Sequence, residues 1–229
     1  MKHILALEFE QGHLFLSDNQ GGYFIVDTGS PTTICEVQQL EFLGKSYHVS
    51  TSYGGLTVPS LRNFIPNAAK KIVGLLGNDI MSKYWVSFDV GVGEAIFGES
   101  SAPELDNWEN YTDLMGVPLI NIELDGTSLR AFFDSGANLS YIKTTISNNW
   151  NSVGMKEDFH PLTGVFQTPH YIYPTIIQGK QLDVNWGNLP AGQLAMVLSM
   201  GIVDAIVGVD LFAQATVVID YRNQRLAIQ

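Results

Sequence analysis

Two aspartates occupy equivalent places in the two halves of this 229-residue chain. Asp27 follows Phe-Ile-Val and Asp134 follows Ala-Phe-Phe, and in both cases a hydroxyl residue and then a glycine come next. A carboxylate at the end of a buried strand is costly unless it is hydrogen-bonded or neutralised. The glycine allows a sharp turn that brings backbone N–H groups close to it. One such triplet, taken alone, is equally typical of an Asx turn that closes a hairpin.

The chemistry changes if the two aspartates meet. Like charges in one site cannot both ionise easily, so one carboxyl keeps its proton while the other is a carboxylate. Such a pair can act as general base and general acid when water attacks a carbonyl group. Asp27 and Asp134 are therefore the candidate catalytic residues.

The sequence around these aspartates is repeated. Residues 24–34 match 131–142, which places Asp27 over Asp134 at an offset of 107, and residues 75–97 match 206–228 at an offset of 131. Two blocks in the same order predict an internal duplication and two β-rich lobes of similar topology. The second lobe carries about 24 additional residues, which we place in 144–190, between its two blocks. Equivalent loops of two related lobes can meet across an approximate two-fold axis.

With these motifs in place, the chain resembles a pepsin/retropepsin-like aspartic protease, in a short, bilobal, single-chain, bacterial-type form. The marks are Asp-Thr-Gly-Ser, Asp-Ser-Gly-Ala and the glycine elements Leu-Leu-Gly and Ile-Val-Gly at 75–77 and 206–208. The resemblance implies that Thr28 and Ser135 cross-brace the two loops and that Ser30 supports the carboxylate of Asp27. The residues that it implies as catalytic-loop support are Thr28, Gly29, Ser30, Ser135, Gly136 and Ala137.

A flap is expected between the first aspartate and the first glycine element. The stretch 46–60 alternates at period two, and Gly54 and Gly55 suit the positive-φ turn of a hairpin. In the resembled family a tyrosine precedes the flap glycine, so Tyr53, Gly54 and Gly55 are the expected flap residues. An ordinary surface hairpin is the alternative. At the other loop, Ala137 lacks a hydroxyl that could donate to Asp134, which could move the working pH upward.

Composition excludes several classes. With 12 Lys+Arg against 23 Asp+Glu the net charge is −11, and no basic cluster is present, so nucleic-acid binding is not expected. No apolar run is long enough to span a membrane, and the first residues lack the pattern of a signal peptide. The single cysteine, Cys35, allows no internal disulfide, and the five histidines show no metal-binding spacing. These features predict a cytoplasmic protein that needs no metal and no other cofactor.

The expected fold is all-β, with two pseudo-symmetric lobes of the acid-protease fold and the active-site cleft between them. We expect an N-terminal lobe at 1–105 and a C-terminal lobe at 106–229, joined through the polar stretch 100–116. A short helix is predicted to begin at Pro66. In the additional segment, the aromatic residues either line a peptide cleft or fill an enlarged core: His160, Tyr171, Tyr173 and Trp186.

The function that follows is an aspartic-type endopeptidase that works as a monomer and binds a peptide or protein substrate in an extended conformation. A catalytically silent peptide-binding or scaffolding module of the same fold is the alternative. A self-processing protein without a separate substrate is a third.

Overall fold

In the computed structural model, residues 1–65, 70–160, 164–190 and 202–229 are described, and their regular secondary structure is mostly β-strand. The all-β prediction is confirmed. Alternation of buried and exposed positions explains the strands: along Lys2–Glu10 and Val117–Leu124, apolar side chains at period two face the interior.

A ten-stranded sheet contains strands from both halves of the chain. In spatial order they are β10 (Glu109–Asn110), β20 (Arg225–Ile228), β19 (Val217–Asp220), β8 (Trp85–Asp89), β9 (Glu94–Gly98), β1 (Lys2–Glu10), β2 (His13–Ser17), β3 (Tyr23–Val26), β7 (Ile72–Leu76) and β4 (Ile34–Cys35). The antiparallel pair of β8 and β19 joins the halves, with Phe88 opposite Val217. A boundary at residue 105 stays a prediction, because this sheet continues across it.

An eight-stranded sheet belongs to the second half. In spatial order it contains β11 (Thr112–Leu114), β12 (Val117–Leu124), β13 (Thr127–Phe133), β18 (Ala205–Val207), β14 (Ser140–Ile142), β17 (Lys180–Gly187), β16 (Gly164–Ile177) and β15 (Gly154–His160). A separate hairpin pairs β5 (Gln39–Phe42) with β6 (Lys45–His48). The strands β15, β16 and β17 lie in the stretch where the sequence predicts additional chain.

The same strand arrangement occurs twice. In the first half, β7 is parallel to β3 and antiparallel to β4. In the second half, β18 is parallel to β13 and antiparallel to β14. The repeated sequence blocks thus form repeated structure, in agreement with two pseudo-symmetric lobes.

One main hydrophobic core extends through both halves. Phe212 connects them, because its ring lies 5.8 Å from that of Phe88 and 5.3 Å from that of Phe133. Each buried aromatic side chain removes about 150–250 Å² from water, so these contacts hold the halves firmly together.

The helices are short: α1 (Val58–Phe64), α2 (Asn78–Met81), α3 (Thr144–Ser147) and a 3₁₀ turn at Val209–Leu211. Within the described ranges, the longest helix is α1, and no helix has the length and apolar character needed to cross a membrane.

One prediction for the first half needs correction. The stretch 46–60 is not one long hairpin: beyond β6 it makes two isolated bridges, Ser50 with Ile34 and Tyr53 with Leu56, and α1 starts at Val58. Thr57 and Ser60 form a capping box, which favours a helix there. The helix predicted to begin at Pro66 falls on residues 66–69, outside the described part of the chain, and the end of the same stretch forms strand β7.

Candidate active site

Both aspartates lie where a buried strand ends. The N–H of Asp27 donates to the carbonyl of Leu76 at 3.1 Å, and the N–H of Asp134 donates to the carbonyl of Val207 at 2.9 Å. Each aspartate therefore still belongs to the parallel pairing of its half, and the chain turns away directly after it. The repeated sheet geometry fixes where both carboxyl groups begin.

The two carboxyl groups meet, and glycines leave the space for them. A Cβ atom added to Gly29 would lie 2.2 Å from Cγ of Asp134, and one added to Gly136 would lie 2.5 Å from Cγ of Asp27. Each carboxyl group thus sits against the glycine of the opposite loop. Neither glycine has a positive φ, so close approach, and not backbone conformation, explains why a side chain is excluded at both positions.

The hydroxyl residues of the two loops hold each other. Thr28 donates its N–H to Oγ of Ser135 at 3.0 Å and its hydroxyl to the carbonyl of Phe133 at 2.8 Å. In return, Ser135 donates its N–H to Oγ1 of Thr28 at 2.9 Å and its hydroxyl to the carbonyl of Val26 at 2.9 Å. Thr28 and Ser135 are fully buried, so four satisfied hydrogen bonds fix one loop against the other.

Backbone N–H groups point at both carboxylates. Gly29 donates to Oδ1 of Asp27 and Gly136 donates to Oδ1 of Asp134, each at 2.9 Å. The N–H groups of the next residues, Ser30 and Ala137, also act on Asp27 and Asp134 respectively.

The hydroxyl of Ser30 has a different partner from the expected one. It donates to the carbonyl of Thr32 at 2.8 Å, so this side chain supports the turn, and the backbone of Ser30 supports Asp27. Since the Ser30 hydroxyl does not contact Asp27, the absence of a hydroxyl at Ala137 removes no equivalent contact with Asp134.

The electrostatics favour a shared proton. Burial raises the pKa of Asp27 well above its ordinary value, and the charge of Asp134 raises it further. Burial also raises the pKa of Asp134, while a hydrogen bond from Asp27 and backbone N–H groups oppose that rise. Both residues are only half-buried by surface area, so solvent reaches the pair. The two groups titrate as one unit.

A second layer of hydrogen bonds repeats behind each loop. Oγ1 of Thr33 accepts from the N–H of Gly77 at 3.0 Å, and Asp79 accepts from the N–H of Thr33 at 2.8 Å and from its hydroxyl. In the second half, Oγ of Ser140 accepts from the N–H of Gly208 at 2.9 Å and donates to Asp210 at 3.1 Å.

The roles of Asp79 and Asp210 go beyond the helix capping that their positions suggest. Asp79 also accepts from the N–H of Ile80 in its own helix, but Asp210 accepts from the N–H of Asn185 in β17. The glycines themselves pass closely behind the loops, because a Cβ atom on Gly77 or Gly208 would meet loop backbone within 2.7 Å.

The residues predicted as a flap form a tight, exposed turn. Tyr53 and Leu56 exchange two backbone hydrogen bonds, and Gly54 and Gly55 have φ values of +56° and +86° between them. Tyr53 is 44% exposed. These positive φ values explain why two glycines occupy the turn. That the turn covers bound peptide as a flap stays a prediction.

Sequence reasoning missed a buried tyrosine whose phenol is affected by the charge of Asp134. Tyr141, in β14, donates its hydroxyl to Asp158 in β15, and its ring lies 6.2 Å from that of Phe166 in β16. Its pKa is raised by burial and by the charges of Asp158 and Asp134. Tyr141 falls in the repeated block opposite an aliphatic residue, Ile34, and that difference was the available signal.

The aromatic residues of the additional segment lie mostly in the core. Trp186 and Tyr171 are buried, and Tyr173 stacks on Trp150 with ring centroids 4.0 Å apart. The side chain of His160 lies outside the described residues. Of the two alternatives, a peptide cleft or an enlarged core, Tyr171, Tyr173 and Trp186 therefore agree with the enlarged core.

The other candidate groups have structural partners. Cys35 is buried, and its thiol donates to the carbonyl of Val73 at 3.3 Å. In the described part of the chain, no three His, Cys, Asp or Glu side chains are grouped so that they could hold a metal ion. The candidate site therefore consists of the aspartate pair and its supporting loops.

Comparison with known proteins assigns no family to this chain. No protein-family model matches the chain, and no curated protein matches it. Among solved structures, the chain is similar to the solution structure of simian foamy virus (mac) protease, with 17% sequence identity and a TM-score of 0.30. The match covers 39% of this chain and 86% of that one. At that TM-score the likeness assigns no family.

Proposed function

We propose that this protein is an aspartic endopeptidase in which Asp27 and Asp134 activate water for attack on a peptide bond. One observation carries the proposal: each carboxyl group occupies the space left by the glycine of the opposite loop. Two carboxyl groups held so closely, both with raised pKa, suit one shared proton at working pH.

The asymmetry of the pair suggests which residue does what. We assign the proton to Asp27, because the backbone N–H groups of two residues act on its carboxyl group, whereas those of three residues act on the carboxyl group of Asp134. Asp134, which receives several backbone N–H groups, is then the carboxylate and the general base.

The reaction needs two carboxyl groups and one water molecule. Asp134 takes a proton from water as the water oxygen bonds to the carbonyl carbon, and Asp27 gives its proton to the carbonyl oxygen. The resulting gem-diol collapses when Asp134 gives its new proton to the amide nitrogen and Asp27 takes a proton from a gem-diol hydroxyl. The C–N bond then breaks, which leaves a new carboxyl and a new amino terminus and returns both aspartates to their starting states. General acid–base catalysis of this kind contributes about 10²–10⁴-fold.

An extended peptide is the proposed substrate. Extended backbone offers hydrogen-bonding groups on both sides, and its alternate side chains give preference through pockets. Because both aspartates come from one chain, we propose that the monomer is active.

Cleavage of a diverse peptide mixture between pH 3 and 8, read by mass spectrometry, tests the proposal. Wild type is compared with Asp27→Asn, with and without pepstatin, and circular dichroism verifies that both are folded. Cuts that are lost in the variant support the proposal. Folded wild-type protein that cuts nothing at any pH, yet binds extended peptides, contradicts it and favours the peptide-binding alternative.

A further inference from the structure

The two-fold arrangement behind the aspartate loops is broken at one pair of equivalent positions. The backbone matches: Asn78 donates its N–H to the carbonyl of Ser30, and Val209 donates its N–H to the carbonyl of Ala137, both at 2.9 Å. The side chains differ, since one is an amide and the other is an isopropyl group that can donate nothing. At this pair of positions, a polar side chain therefore lies behind the Asp27 loop and an apolar one behind the Asp134 loop.

The amide of Asn78 is fully engaged. Its Nδ2 donates to the carbonyls of Thr28 and Gly116, each at 2.7 Å, and its Oδ1 accepts from the hydroxyl of Tyr221 at 2.8 Å. Asn78 is 5% exposed. A flipped amide would place oxygen against two carbonyl oxygens, so these partners fix its orientation.

Three distant parts of the chain meet at this amide. Gly116 lies between β11 and β12, Tyr221 lies in the turn between β19 and β20, and Thr28 follows Asp27. Tyr221 is 143 residues from Asn78, so the second half of the chain supports the aspartate loop of the first.

The peptide unit that Asn78 holds faces the aspartates. The carbonyl of Thr28 and the N–H of Gly29 belong to the same peptide group. That N–H donates to Oδ1 of Asp27 at 2.9 Å and also acts on the carboxyl of Asp134. A hydrogen bond to the carbonyl polarises the peptide, which makes its N–H a stronger donor.

We propose that Asn78, held by Tyr221, is a positioning residue that orients and polarises the Thr28–Gly29 peptide toward both aspartates. This inference rests on the proposed peptidase function for its role in the reaction. The peptide geometry itself does not depend on that function.

The effect comes from a dipole and adds no charge. Two phenols among the described residues are affected by the charges of the pair: Asp27 raises the pKa of Tyr221, in the β19–β20 turn, and Asp134 raises that of Tyr141, in β14. Burial raises the pKa of both phenols, so they are neutral over the working range. Asp158 is bound by Tyr141, and His13 faces Asp158.

The sign of the effect follows from the donor. The Gly29 N–H stabilises ionised carboxylate, which lowers the pKa of Asp27 and of Asp134. Without Asn78 this donor is weaker, so the apparent pKa of the pair rises and the acidic limb of the pH–rate profile moves to higher pH.

The test uses Asn78→Leu, Tyr221→Phe and the double variant, with Val209→Ala as the matched control behind the other loop. We expect Asn78→Leu to move the acidic limb of kcat/KM upward by about 0.3–1 pH unit, with KM unchanged. Tyr221→Phe, which keeps the ring packing, should move it in the same direction by less. The double variant should match Asn78→Leu, because Tyr221 acts through Asn78.

A second readout does not need activity. Carboxyl-carbon NMR of labelled aspartate follows the titration of the pair directly, and the same upward shift is expected in folded Asn78→Leu and Tyr221→Phe. Unshifted titration in both variants, or an equal shift in Val209→Ala, overturns the inference. If wild type cleaves no peptide, the proposed function fails, and this titration still decides the role of Asn78.

Discussion

Thr28 and Ser135, which are 107 residues apart, each donate a backbone N–H to the hydroxyl oxygen of the other, at 3.0 and 2.9 Å. Each hydroxyl then donates to a carbonyl of the opposite strand. This reciprocal arrangement places the carboxyl groups of Asp27 and Asp134 against one another, which no local preference of either loop would do. The aspartate pair is thus a product of the contact between the halves.

Replacing Thr28 by valine should weaken this contact without changing side-chain volume. The N–H of Ser135 and the carbonyl of Phe133 would lose their partners in the interior, which lowers the free energy of unfolding by about 2–4 kcal/mol. Thr28→Ser keeps the hydroxyl and should stay within about 1 kcal/mol of wild type. Urea unfolding measures both, and equal stability of the two variants would count against the arrangement.

A methyl group on either loop glycine should separate the aspartates. Gly29→Ala places a carbon 2.2 Å from Cγ of Asp134, far inside van der Waals contact, so the loops must move apart and peptide cleavage should fall by about 10²-fold or more. Gly91→Ala is the control, since its nearest neighbour is at 3.4 Å, and it should keep wild-type rates. Wild-type cleavage by Gly29→Ala would show that the carboxyls need not meet.

The aspartate pair should destabilise the fold as pH rises. Its raised pKa means that the folded state binds more protons than the unfolded state between pH 3.8, the ordinary value, and the raised values. The free energy of unfolding therefore decreases with pH across that window. Asp27→Asn removes one ionisable group, so its stability relative to wild type should increase from pH 4 to 7.

Urea unfolding at several pH values gives that difference, with Asp106→Asn, an exposed aspartate, as the control. Groups elsewhere contribute equally to wild type and variant and cancel. A stability difference that is constant with pH, or that decreases as pH rises, would show that ionisation of the pair does not destabilise the folded state.

The expected flap can be tested separately from the aspartates. Tyr53 is exposed, so Tyr53→Ala should change the free energy of unfolding by no more than about 0.5 kcal/mol. If the turn closes over bound peptide, kcat/KM should still fall by about tenfold or more. The exposed Val92→Ala serves as the control, and unchanged kcat/KM in Tyr53→Ala would remove Tyr53 from the mechanism.

Much of the architecture is predictable because the chain repeats itself. Two matching blocks in the same order indicate that β3 with β7 and β13 with β18 have the same relation, and the structure has this relation twice. The all-β prediction is confirmed for a second reason, because short apolar runs alternate with turn residues along the chain.

The errors come from local signals that compete. The period-two pattern before Gly54 favours a hairpin, yet the capping box of Thr57 and Ser60 starts a helix only two residues beyond the Tyr53–Leu56 bridge. The capping box, which is short but forms specific hydrogen bonds, therefore decides the structure here over the longer period-two alternation.

Other features have no local signal at all. The partner of Asn78, Tyr221, is far away in the chain, and neither residue type points to the other. The hydroxyl of Ser30 could have bonded either Asp27 or Thr32, and only the shape of the folded turn decides for Thr32. Such choices depend on how the halves pack, which the repeat does not encode.

The most direct test of the central claim uses one cleaved peptide and three variants: Asp27→Asn, Asp134→Asn and the double variant. If the two carboxyls act as one unit, each single variant should lose about 10³-fold or more of kcat/KM. The kcat/KM of the double variant should then be no lower than that of the less active single variant. Circular dichroism must show that all three are folded. A folded single variant that keeps kcat/KM within about tenfold of wild type would contradict the account.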